Sequence, residues 1–302
     1  MRPMMRGVSL LLFCSLLSCP TAGQDVGVTA VHVNGVDLTY IERGRGEPLI
    51  LLHGGQGDYR SWGPQIEAFS RRFHVIAYSG RYNYPNDNPI TAGYRSAYTD
   101  AADLAALIRR LGLGPVHLVG TSAGALAALV LATEEPEMVR TLVLAEPPVH
   151  SWAKNDPNGR TLYSEFMTAI WEPAGAAFRA GDDQGAMRIL VDGFGGSGRF
   201  DALPAATRAA AMQNARFFKA ATGSRDPFPD IPKDGVSRLK MPVLIVTGET
   251  TIRLHKFVND ELARLLPTAS RVTIPRAGHG SPRENPLAFN EAMARFFEDH
   301  GR

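Results

Sequence analysis

From residue 26 to the C-terminus, short runs of β-branched and aliphatic residues alternate with longer stretches whose apolar residues recur every three or four positions. Alternation of this kind predicts a parallel sheet with helical crossovers. The first two runs, Val28 to Val33 and Val36 to Ile41, flank Asn34-Gly35, a dipeptide suited to a tight hairpin, so the sheet should open with antiparallel strands. Six later runs are almost wholly apolar: Pro48 to Leu52, Phe73 to Tyr78, Val116 to Val119, Thr141 to Ala145, Val243 to Val246 and Arg271 to Ile274. Strands covered on both faces read this way. The expected fold is α/β, an eight-stranded mostly parallel sheet flanked by helices.

Helices are expected at Asp100 to Leu111, at the Ala- and Leu-rich Ala123 to Ala132, and at Pro286 to Glu298, where Phe289, Met293, Phe296 and Phe297 form one apolar stripe. From Val149 to about Leu239 no convincing strand appears, only helical patterns at Thr161 to Trp171, Gln184 to Val191 and Pro204 to Ala221. Residues 149–239 therefore read as a helical cap inserted after the sixth strand, between core parts 24–148 and 240–302. A cap over strand ends would cover a pocket.

Residues 1–23 read as a secretory signal: Arg2 and Arg6 precede the apolar run Val8 to Leu17, too short to span a bilayer, and small residues suit cleavage near Gly23. Leu16-Leu17-Ser18-Cys19 also resembles an imperfect lipobox, which would put a lipid anchor on Cys19; simple cleavage and export are preferred. Cys14 and Cys19 are the only cysteines, so a chain beginning at Gln24 has neither disulfide nor thiolate. The 302-residue chain carries 32 basic and 30 acidic residues, and its first 23 residues contribute two of the basic ones and no acid. The remainder is balanced, without the charge footprint of a nucleic-acid partner, and a small, weakly charged ligand fits better. No metal-ligand pattern or cofactor motif is legible.

Gly120-Thr121-Ser122-Ala123-Gly124 is a G-x-S-x-G placed between an apolar strand and an Ala-rich helix, the context in which the serine sits on a strained turn as a nucleophile. The Ala123 amide opens that helix and is free to stabilise an oxyanion. His53-Gly54-Gly55 follows the third strand, and Gly55 is the choice for a second oxyanion donor, with His53 orienting the loop. Of the eight histidines, His279 follows the eighth strand and precedes the last helix, the place for a general base. His32, His74, His117, His150, His255 and His300 read as packing or surface residues, with His150 noted for its closeness to the sixth strand.

With these motifs in this order, the chain resembles the capped serine hydrolases of the α/β-hydrolase superfamily over nearly all of residues 24–302. The resemblance implies a Ser-acid-His triad, an oxyanion hole of two backbone amides and no cofactor. One position departs from it: the turn after strand seven reads Gly248-Glu249-Thr250-Thr251, with Thr251 where the acid is usual. Glu249 and Glu146 are the substitutes. Glu146, directly after strand six and 24 residues beyond Ser122, is preferred, because a carboxylate following a buried strand needs a cationic partner.

The expected reaction is hydrolysis of an ester or lactone of a small hydrophobic substrate through an acyl-enzyme on Ser122. Arg81 and Tyr82 from the loop after strand four, with Trp152 and Trp171 from the cap, are candidate pocket residues. A cofactor-free dioxygenase, a carbon–carbon bond hydrolase and a non-catalytic binding protein stay open as alternatives. Epoxide hydrolases and haloalkane dehalogenases need an Asp nucleophile, which Ser122 is not. Oligomeric state is not legible.

Overall fold

The computed structural model describes residues 27–300 apart from 92 and 94; the expected leader, with Arg2, Arg6, Cys14, Cys19 and the expected cleavage near Gly23, lies outside the described residues. Eight strands form one sheet: β1 (Thr29–Val33), β2 (Val36–Arg43), β3 (Glu47–Leu52), β4 (Phe73–Tyr78), β5 (Val116–Thr121), β6 (Val139–Ala145), β7 (Val243–Gly248) and β8 (Ser270–Ile274). Their spatial order is β1-β2-β4-β3-β5-β6-β7-β8. β2 runs antiparallel to both β1 and β4, and every other neighbouring pair is parallel. Asn34 and Gly35 both take positive φ, 48° and 74°, which matches the hairpin twist and pairs Val33 with Val36.

Successive residues of the central strands serve opposite faces of the sheet. Ile50, Leu52, Leu142 and Leu144 pack with helices Ala97–Arg110, Ala123–Glu134 and Arg253–Leu265, while Leu49, Leu51, Val143 and Ala145 pack with Gly63–Phe69 and Pro286–His300. This two-sided burial is why the runs carry no polar alternation. Helices Gly63–Phe69 and Arg253–Leu265 are additions to the sequence reading. The second had a signal, Leu254, Val258 and Leu262 at spacings of four, all buried.

Between β6 and β7 the described chain holds helices joined by loops and no strand, from His150–Lys154 to Lys233–Ser237, the longest piece being Asp183–Gly195. Its apolar residues, among them Phe166, Trp171, Phe178, Met187, Leu190, Phe217 and Phe218, form a third cluster. Among the described residues no helix is long and apolar enough to cross a membrane.

Candidate active site

The parallel strands β5, β6 and β7 end side by side, and the loops that follow them bring the chemistry-bearing residues together. Ser122 joins β5 to helix Ala123–Glu134 at φ 51° and ψ −122°, a strained conformation for a residue with a Cβ. Its N–H donates to Ala145 O at 2.8 Å, which ties the turn to the end of β6. The flanking residues must be small. A Cβ on Gly120 would lie 2.5 Å from Ala125 Cα, and one on Gly124 would lie 2.4 Å from Leu52 O.

Glu146 follows β6 with φ 54° and is 1% exposed. One carboxylate oxygen, Oε1, accepts from Gly248 N–H at 2.7 Å. The other, Oε2, accepts from Thr251 Oγ1 at 2.7 Å and lies 2.6 Å from His279 Nδ1. Burial opposes ionisation, but bonds to His255 and His279 overcome it and hold the carboxyl well below the usual carboxylate range. Glu249 is directed elsewhere: its Oε2 accepts the Arg276 N–H at 2.7 Å. Thr251 thus supports the buried acid from the position where an acid was expected.

His255, read from sequence as a packing residue, belongs to this cluster. Its ring stacks on His279 with centroids 4.2 Å apart, and its Nδ1 lies 3.3 Å from both Glu146 Oε2 and Thr251 Oγ1. Burial first, then the charge of His279, pushes its pKa down to about 4 against the opposing pull of Glu146. It is therefore neutral at pH 7. The carboxylate can only accept, and Thr251 spends its hydroxyl proton on Glu146, so His255 carries its proton on Nδ1 and shares it between them. No local motif marked His255, because Glu146 and His279, which it meets, are distant from it in the chain.

The His53-Gly54-Gly55 loop is held by two side chains, His53 and Asn83. His53 Nδ1 pairs with Gly54 O at 2.8 Å and its Nε2 accepts from Gly80 N–H at 2.9 Å, so both nitrogens orient backbone. Asn83 Nδ2 donates to Gly55 O and Gly57 O at 3.1 and 2.9 Å. Asn83 was missed in the sequence, where the loop after β4 read as a pocket wall. Ala123 N–H, at the first position of its helix, has no intrahelical acceptor.

Two cavities meet at Ser122. The first, about 110 Å³, is lined by Ser122, His279, Trp62, Val191, Phe194 and Leu203 among others. The second, about 30 Å³, is lined by Ser122, Ala123, Trp171, Phe166, Phe228 and His255 among others. Gly55, Ser122, Phe194 and Phe218 belong to both. Of the four candidate pocket residues, only Trp171 lines either. Arg81 is corrected to a structural role, since its guanidinium is held by both oxygens of Asp103 at 2.8 Å. Tyr82 is buried and lines a separate small cavity with Arg81 and Asp103. Trp152 donates its indole N–H to Ile231 O at 2.7 Å and packs in the core.

Glu146, His255 and His279 are the one cluster among the described residues with donor atoms close enough to share a cation. Their geometry fits a hydrogen-bonded carboxylate better. Imidazole lone pairs lie in the ring plane, and two rings stacked with centroids 4.2 Å apart at 29° do not converge on a single ion at the roughly 2 Å a metal bond needs.

The chain is 27% identical to 2-(acetamidomethylene)succinate hydrolase of Mesorhizobium japonicum over 275 residues, covering 89% of this chain and 94% of that one. Among solved structures it resembles Est816, described as an N-acyl homoserine lactone degrading enzyme, with TM-score 0.70 and 27% identity over 89% of this chain and all of that one. The enol-lactonase of Burkholderia xenovorans LB400 shares the fold, with TM-score 0.73 and 19% identity over 89% of this chain and 100% of that one. The sequence model of the α/β hydrolase fold matches residues 47–286, and with that match the chain belongs to the α/β-hydrolase family.

Proposed function

We propose that the protein is a serine hydrolase that cleaves an ester or lactone of a small hydrophobic substrate through an acyl-enzyme on Ser122. The observation that carries this reading is the pairing of His279 Nδ1 with the buried Glu146 carboxylate at 2.6 Å, in a residue that lines one cavity with Ser122. Glu146 holds the ring with its proton on Nδ1, which leaves Nε2 as the base. Ser122 attacks the substrate carbonyl as His279 takes its proton, and the Gly55 and Ala123 amides receive the oxyanion. His279 then returns the proton to the departing alcohol. Water, deprotonated by the same imidazole, attacks the acyl-enzyme and releases the acid, restoring Ser122.

No hydrogen bond joins Ser122 Oγ to His279 among the described contacts, and such bonds tighten on substrate binding. Segment 149–239 acts as the cap, since Val191, Phe194, Leu203 and Phe218 wall the first cavity. The leader, removed near Gly23, exports the enzyme; the intact mass of the exported protein distinguishes cleavage there from a lipid on Cys19. The function is tested with p-nitrophenyl esters and fluorophosphonate labelling of wild type and Ser122→Ala. Turnover and labelling that both vanish in the variant support it. A wild type that neither hydrolyses nor labels overturns it in favour of oxygenase or binding chemistry, and oxygen consumption separates those two.

A further inference from the structure

The smaller cavity holds two buried polar side chains whose hydrogen-bonding capacity is unspent. His150 is 1% exposed and neither ring nitrogen has a partner. Its ring is packed by Phe166 and Phe228 at centroid distances of 4.6 and 4.5 Å and stacks on His255 at 5.5 Å. Arg95 is 5% exposed and its Nε has no partner. Its guanidinium gives one N–H to Asp100 at 2.5 Å and lies 4.4 Å from the Phe217 ring centre. Both residues line the cavity that Ser122 and Ala123 also line. Unpaired polar groups at this depth are rare in native proteins and call for a partner.

The position of the cavity says which part of a substrate enters it. His279, which must protonate the leaving alcohol, lines the larger cavity and not the smaller, so the alcohol side belongs to the larger. The smaller cavity is lined by Ser122 and Ala123 without His279, so with the alcohol side placed in the larger cavity it takes the acyl side. Burial first, then the charges of His255 and His279, holds His150 well below the ordinary imidazole value, so its ring offers one N–H and one lone pair. The Arg95 charge is already paired with Asp100, so the site offers the His150 N–H and the Arg95 Nε–H with little net charge to attract an anion.

Resting on the serine-hydrolase reading, we propose that the smaller cavity is an acyl subsite for a short chain carrying a neutral hydrogen-bond-accepting oxygen, a ketone or amide carbonyl, which His150 and Arg95 Nε receive inside an aromatic enclosure. An unsubstituted acyl chain would displace the solvent of these groups and leave them unpaired, so it should be disfavoured.

The test compares p-nitrophenyl esters of straight-chain acids bearing an oxo group at C4, C5 or C6 with their unsubstituted parents, on wild type and His150→Phe. The expected result is kcat/KM about 10-fold or more higher for at least one oxo ester than for its parent in wild type, with the ratio falling toward one in the variant. A parallel measurement titrates the methyl esters of the same acids into Ser122→Ala by isothermal titration calorimetry. It needs no turnover and no change at His150, so it reads the subsite even if wild type proves inactive or His150→Phe does not fold. Equal affinity for oxo and parent esters there, or an oxo preference that His150→Phe leaves unchanged, overturns the proposal and assigns the two side chains to water.

Discussion

Thr251 Oγ1 donates a 2.7 Å hydrogen bond to Glu146 Oε2, the oxygen that also faces His279 Nδ1 at 2.6 Å. The residue after β7 and the residue after β6 thus share one carboxylate between them, because β6 and β7 are parallel neighbours whose ends lie together. The acid has one place in space and two places in the chain from which it can be supplied.

That relationship predicts a rescue. Glu146→Gln should lower kcat by about 10²- to 10⁴-fold, since the amide cannot hold the His279 tautomer or stabilise its cation. Glu146→Gln with Thr251→Asp moves the acid to the β7 turn and should recover about 10-fold or more over the single variant. Steady-state kinetics on one good ester checks it; a double variant no better than the single one would place Thr251 out of reach of the imidazole.

Acid sensitivity should trace partly to His255. Its folded pKa of about 4 lies below the ordinary 6.5, so the unfolded chain binds more protons between those values, and the stability of the fold, full above pH 6.5, is lost as pH falls toward 4. His150, also pushed down, and the depressed Glu146 carboxyl, whose contribution is full above 4.5 and declines below it, act in the same direction. His255→Asn should therefore flatten the profile of Tm against pH between 6.5 and 4. A slope identical to wild type would mean His255 is protonated in the fold.

Gly124→Ala should destabilise by roughly 1–3 kcal/mol or abolish soluble expression, because the new methyl would meet Leu52 O at 2.4 Å and His53 O at 2.6 Å, both backbone atoms. Gly114→Ala, with nothing within 4 Å of the added carbon, is the control. Thermal melts of the pair decide; equal Tm values would show that the turn has slack.

Arg81→Ala should cost about 3–5 kcal/mol, since it leaves the buried Asp103 without its two-pronged partner, yet KM for esters should stay within about twofold. A large KM effect in a protein of normal Tm would return Arg81 to the substrate pocket.

Much was readable along the chain because it depends on neighbours in sequence. Strand-length apolar runs, Asn34-Gly35 and the small residues around Ser122 each state a local steric or burial requirement, and the strands and the serine turn stand where those requirements put them. His279 was placed by the same reasoning, from a strand before it and a helix after it. Tertiary structure alone decided what meets what. Only there is the preferred Glu146, and not Glu249, seen to face His279, while His255 stacks under that ring from a helix 24 residues upstream, and Asn83 fastens the Gly55 loop from the segment after β4. Arg81 turned to Asp103 for the same reason. Side-chain partners are chosen by distance and by the cost of leaving a buried charge unpaired, and both exist only after the strand ends have been brought together.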